Sequence, residues 1–237
     1  MPQVQALLFD VFGTVVDWRG SIIAELTRFG ADKGLAADWA AFTDDWRGLY
    51  QPAMEEVRSG RRPWTYLDAL HRESLDKLLD KYAIAGLSEP EKDHVNRVWH
   101  RLKPWPDVVA GLTRLKARYI IGTLSNGNVG LLTRMAKHAG LPWDVILGAE
   151  TARAYKPLPQ AYLANAALLN LEPAQVMLVA AHNGDLAAAS AAGLSTAFVP
   201  RPQEHGPHQQ GDLKAERAWD VVAASFVELA DTMEIGN

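Results

Sequence analysis

The apolar positions of this chain follow two rhythms. Ala6-Leu7-Leu8-Phe9 is an unbroken apolar run closed by Asp10, and a run without polar alternation reads as a short strand buried on both faces. Similar runs predict strands over 119–124, 145–147, 176–180, 195–199 and 221–223. Between these later runs, apolar residues return at three- and four-residue spacing, the period of a helix with one buried face. Strands alternating with helices predict right-handed β-α-β units and a parallel sheet with helices on both faces, the α/β class. From Asp17 to about Arg101 the strand signal vanishes. That stretch reads as helices over 21–33, 39–58, 64–82 and 89–101, punctuated by Gly34, Gly60, Pro63, Gly86 and Pro90. The chain therefore divides into a core, residues 1–16 with 102–237, and an all-helical insert, residues 17–101. Residues 200–217, rich in Pro, Gly, His and Gln, read as a long surface loop.

An insert placed directly after the first strand can lie over the strand ends as a lid that excludes water and contacts substrate. In open α/β sheets, ligands bind at the carboxyl ends of the strands where the direction of winding reverses, and Asp10 stands at such an end. An Asp in that position also serves as a turn former or helix cap. Three later stretches repeat the pattern of polar residues closing an apolar run: Thr123-Leu124-Ser125-Asn126-Gly127, Tyr155-Lys156-Pro157 with Tyr162 further on, and Val179-Ala180-Ala181-His182-Asn183-Gly184-Asp185. Ser125 and Asn126 can offer side-chain and backbone donors to an anion, though Ser-Asn-Gly is equally a turn sequence.

Composition narrows the classes. The 237 residues are 48% hydrophobic and 22% charged with a formal net charge of -4, an ordinary globular balance. There is no basic stripe to suggest nucleic acid or an anionic membrane surface, and no run of eighteen apolar residues. The chain has no cysteine, which removes disulfides, thiol nucleophiles and thiolate metal sites. With no charged and apolar leader pattern, the expected location is the cytoplasm.

Taken together, Asp10-x-x-x-Thr14, Ser125-Asn126, Lys156-Pro157 and His182-Asn183-Gly184-Asp185 resemble, in order and spacing, the four loop motifs of the haloacid dehalogenase superfamily, and within it the L-2-haloacid dehalogenases. The resemblance spans nearly the whole chain and implies a Rossmann-like core with a helical cap domain. Most members of the superfamily are magnesium-dependent phosphatases with a second Asp two residues after the nucleophile. Here that position is Phe12, which cannot donate a proton to a leaving alcohol. Asp185, flanked by Gly184 and Leu186 and followed four residues later by Ala189, lacks the paired acid with which those phosphatases hold magnesium.

A departing halide needs neither general acid nor metal, so the resemblance implies an (S)-2-haloacid dehalogenase, a hydrolase acting on carbon–halide bonds without a cofactor. Its substrates would be short 2-haloacids: L-2-haloalkanoates, haloacetates and fluoroacetate. Asp10 would be the nucleophile, forming an ester that water hydrolyses. Asp185 would deprotonate that water, with Asn183 and Lys156 nearby, and Thr14 would fix the nucleophile loop. Ser125, the Asn126 amide and the backbone of Val11 and Phe12 would receive the substrate carboxylate, with Phe12 as an apolar wall. Arg47, in the segment Trp46-Arg47-Gly48-Leu49-Tyr50, would capture the halide, with Trp46 and Tyr162 as further substrate contacts. Members of that group commonly read Ser-Asn-x-Trp-Asp where this chain has Ala181-His182-Asn183-Gly184-Asp185. His182 is then expected to donate a hydrogen bond to a small halide such as fluoride. The partner implied is a small 2-haloacid, with a homodimer as the assembly to test. Two alternatives stay open: a magnesium-dependent phosphatase or phosphonate hydrolase of the same superfamily, and a non-catalytic binding protein on this scaffold.

Overall fold

A computed structural model describes residues 3–235; positions 1–2 and 236–237, the outer ends of the expected core segment, lie outside the described residues. Six strands form one parallel sheet in the order β5-β4-β1-β6-β7-β8, with β1 Ala6–Phe9, β4 Ile120–Ser125, β5 Val145–Gly148, β6 Val176–Ala180, β7 Ser195–Phe198 and β8 Val221–Val222. Each falls on an apolar run, with ends shifted by a residue or two. β1 lies between β4 and β6 in parallel register, Phe9 pairing with Thr123 on one side and Val179 on the other. Its side chains divide between two cores: Leu7 and Phe9 pack in one, Ala6 and Leu8 in the other, which is why the run shows no polar alternation.

A ribbon of two short antiparallel strands, β2 Val16–Asp17 and β3 Lys103–Pro104, stands where the chain leaves the sheet and returns. Between them run α1 Trp18–Lys33, α2 Trp39–Gly48, α3 Tyr50–Arg58, α4 Leu67–Lys81 and α5 Glu89–Asn96, followed by a 3₁₀ turn, Arg97–His100. The helix expected over 39–58 is thus two helices that part at Leu49. Pro52 is the third residue of α3, where a missing N–H removes no intrahelical bond, and a helix starts more easily there than it continues through. The remaining helices, α6 Val108–Lys116, α7 Val129–Ala139, α8 Ala149–Ala152, α9 Pro159–Leu168, α10 Asn183–Ala191 and α11 Phe226–Ile235, cover the two faces of the sheet. No described helix is long and apolar enough to cross a membrane.

The stretch 200–217 is irregular, as expected, but it is more than a surface loop. Arg201 and Glu204 are buried within it. Arg201 clasps Asp107 through two hydrogen bonds of 2.8 and 3.1 Å and donates from Nε to the Thr14 carbonyl at 2.9 Å, which pins the loop beneath the residues that follow β1.

Candidate active site

All the polar stretches singled out in the sequence end at the carboxyl edge of the sheet, around the point where the winding reverses beside β1. Asp10 leaves β1 with its N–H bonded to the Val179 carbonyl at 3.0 Å. Its Oδ2 accepts the Thr14 hydroxyl at 2.7 Å, and that hydroxyl accepts the Ala181 N–H at 2.9 Å, tying the loops after β1 and β6 together. The N–H groups of Val11 and Phe12 donate to no other described residue and remain available to an anion.

Lys156, from the loop after α8, reaches across to bridge two carboxylates. Its Nζ donates to Asp10 Oδ1 at 2.9 Å and in a short contact to Asp185 Oδ2, while its backbone N–H donates to Asn126 Oδ1 at 2.9 Å. Tyr162 donates to Asp185 Oδ1 at 2.7 Å and so fixes the second carboxylate rather than facing the cleft. Burial pushes Asp10 up, but the Lys156 ammonium and His182 outweigh it and hold the carboxyl well below the usual range. Burial likewise pushes Lys156 down, and Asp10 and Asp185 more than reverse this, so it stays charged.

His182 sits otherwise than expected. Its Nδ1 lies 3.1 Å from Asp10 Oδ2 and its Nε2 lies 2.8 Å from Glu204 Oε2, so both ring nitrogens face carboxylates and neither is left for a halide. Burial alone would lower its pKa, yet Glu204 and Asp10 raise it well above the ordinary histidine value. Glu204 also accepts Trp18 Nε1–H at 3.0 Å. Gly13 makes room for it: the residue has φ +92°, and a Cβ there would stand 2.0 Å from Glu204 Oε1. No sequence signal marked Glu204, which lies in a loop whose composition reads as solvent-facing.

A cleft of about 870 Å³ opens over these groups, lined by Asp10, Phe12, Asn126, Lys156, His182, Gly184 and Asp185 from the core and by Trp18, Arg47 and Tyr50 from the helical segment, among others. The Arg47 guanidinium carbon is 4.2 Å from the Tyr50 ring centroid, 5.2 Å from Trp18 and 6.0 Å from Phe12. Its Nη1 is buried without a hydrogen-bond partner, and among the described residues no carboxylate pairs with it. A cation held by aromatic faces with an unspent N–H has the chemistry to receive a small anion. The Asn126 amide joins this side of the cleft through its contact with the Tyr50 hydroxyl.

Three expected contacts point elsewhere. Ser125 is fully buried, its Oγ accepting the Gly127 N–H at 3.1 Å, and it does not line the cleft. Trp46 is also fully buried, donates to the His71 carbonyl at 3.1 Å, and packs edge-on against Trp99. Asn183 spends both amide ends on the loop after β7: Nδ2 donates to Asp212 Oδ1 and the Lys214 carbonyl, and Oδ1 accepts from Glu216 N–H and Trp219 Nε1–H. It therefore has nothing left with which to hold water at Asp10.

Residues 4–193 match the family model described as haloacid dehalogenase-like hydrolase. The chain is 27% identical over 213 residues to (S)-2-haloacid dehalogenase 1 of Pseudomonas sp. (strain CBS-3), covering 86% of this chain and 89% of that protein. Among solved structures, the defluorinating L-2-haloacid dehalogenase Rha0230 superposes with a TM-score of 0.95 at 52% identity, covering 98% of this chain and 95% of that one. The L-2-haloacid dehalogenase PA0810 superposes with a TM-score of 0.96 at 48% identity, covering 98% and 100%.

Proposed function

The chain belongs to the haloacid dehalogenase-like hydrolases, among the L-2-haloacid dehalogenases, and from that premise we propose how its cleft hydrolyses the carbon–halogen bond of short 2-haloacids. One observation carries the reading. An ionised, buried carboxylate shares a cleft with a guanidinium whose Nη1 is buried without a hydrogen-bond partner. Asp10 Oδ1, which accepts one hydrogen bond and keeps a lone pair, attacks C2. The carbon–halogen bond breaks with its electron pair on the halide, which Arg47 receives within the rings of Phe12, Trp18 and Tyr50. The substrate carboxylate is met by the Asn126 amide and the N–H groups of Val11 and Phe12. Water then cleaves the ester at the Asp10 carbonyl carbon, with Asp185 as its base. Tyr162 and Lys156 orient that base. Residues 17–101 act as the lid that carries Arg47.

A magnesium-dependent phosphatase reading finds no support in these residues. The Lys156 ammonium occupies the place between Asp10 and Asp185, position 12 is Phe, and Gly184 and Ala189 offer no second acid, so the set does not fit a divalent cation. We extend the leaving group to fluoride, because the Rha0230 protein, 52% identical, is described as defluorinating. The test is halide release from chloroacetate, L-2-chloropropionate and fluoroacetate in EDTA, alongside Asp10→Asn. Release that survives EDTA and vanishes in the variant is expected; magnesium-dependent cleavage of a phosphate ester in its place would overturn the reading.

A further inference from the structure

We propose that His182, held as an imidazolium between Asp10 and Glu204, forms with the Thr14 hydroxyl the oxyanion site in which the Asp10 ester is hydrolysed, and that Glu204 is the positioning residue that keeps it charged. The inference rests on the ester chemistry proposed above and concerns its second half. The two oxygens of Asp10 are not equivalent. Oδ2 already receives two donors, Thr14 Oγ1 at 2.7 Å and His182 Nδ1 at 3.1 Å, whereas Oδ1 receives only Lys156. If Oδ1 takes the alkyl group, Oδ2 becomes the ester carbonyl oxygen, and both donors stand at the distance that serves a developing oxyanion. The Thr14 proton is committed to Oδ2, because the hydroxyl oxygen accepts the Ala181 N–H.

The electron count then closes. Water oxygen adds to Cγ as its proton passes to Asp185, and the carbonyl pair moves onto Oδ2 between Thr14 and the imidazolium. The pair returns, the Cγ–Oδ1 bond breaks, and the departing alkoxide recovers the proton from Asp185 as the 2-hydroxy acid. The carboxyl group left at Asp10 gives its proton to solvent.

His182 is not the base in this sequence, since both its nitrogens are needed as N–H donors to face two carboxylates. Once Asp10 is esterified its charge is gone, and Glu204 alone holds the ring protonated against burial, which is what a buried carboxylate on the far nitrogen supplies. The other charged groups around the pair are Lys156 and Asp185 behind Asp10, and Arg47 and His205 beside Glu204.

The experiment is rapid-quench turnover of L-2-chloropropionate, reading chloride and the covalent adduct by intact-protein mass spectrometry. His182→Ala should release about one chloride per site in a burst, then turn over roughly 10²–10³-fold more slowly with the ester accumulated. Glu204→Gln, which keeps an acceptor but not the charge, should also accumulate ester. Its hydrolysis should slow as pH rises through the histidine range near about 6.5, while the wild-type rate stays level there. A purely structural role would not produce that pH dependence. Loss of the chloride burst in step with turnover, with no ester in either variant, overturns the inference. A wild-type protein that releases no chloride overturns the dehalogenase reading beneath it.

Discussion

Lys156→Met removes one ammonium and leaves two carboxylates facing each other. The side chains of Lys156, Asp10 and Asp185 are 7%, 10% and 11% exposed, so water cannot replace what is lost. Removing one partner of a buried ion pair costs about 3–5 kcal/mol. Here the cost should sit at the low end, about 3 kcal/mol, because His182 still faces Asp10 and Tyr162 still donates to Asp185. For a chain of this size that is roughly 6–12 °C in Tm. The sign with pH is fixed by Asp10. Lys156 is the largest influence opposing burial at that carboxyl, so its removal raises the folded-state pKa. The depressed wild-type pKa contributes stability above the unfolded value, lost only as pH falls towards the folded one; the variant loses that contribution at higher pH. The stability gap between the two proteins is therefore widest at neutral pH and narrows in acid. Urea unfolding followed by tryptophan fluorescence should give a larger difference near about pH 8 than near about pH 5. Adding Asp10→Asn to Lys156→Met should recover about 1–2 kcal/mol by removing one of the stranded charges. An equal deficit at both pH values, with no recovery in the double variant, would mean that Lys156 contributes packing and not charge.

Other substitutions separate the roles of neighbouring residues. Arg47→Met should lower kcat/KM for halide release by about 10²–10³ while leaving Tm unchanged or higher, because its Nη1 is buried without a partner; a fall in Tm with intact turnover would refute this. Asn183→Ala should cost about 2–4 kcal/mol in urea unfolding, since it strands the Trp219 Nε1–H and loosens the 212–219 stretch. Gly184 lines the cleft with open space at its Cβ position, so Gly184→Trp should suppress turnover of longer 2-haloacids more than that of chloroacetate, measured as a ratio of kcat/KM values.

Strands announced themselves because a parallel sheet covered on both faces leaves no polar positions, and three of the four loop motifs were visible because each closes such a run; Lys156-Pro157 instead follows β5 only after the short helix α8. What the sequence did not separate was one residue from the next at the start of a helix. His182 and Asn183 are adjacent and both polar, yet His182 still has the extended backbone that precedes the helix while Asn183 begins it, which sends one ring to Asp10 and the other amide to Trp219. Trp46 and Arg47 also divide, one into the helical core and the other into the cleft. Glu204 was hidden for a different reason. Its burial depends on Gly13 and Trp18, nearly two hundred residues away in the chain, and local composition carries no trace of that meeting.

The paired strands β2 and β3 bring the two ends of the helical segment side by side, Val16 opposite Pro104. To the sheet, everything between them is a single graft. Lys156 and Asp185 belong to other branches of the chain, and the graft touches their surroundings where Arg58 donates to the Lys156 carbonyl at 2.9 Å and Trp18 donates to Glu204 at 3.0 Å. Selection, or an engineer, can therefore revise which molecule is admitted at Tyr50, provided that Trp18 and Arg58 keep the contacts that hold Glu204 and Lys156.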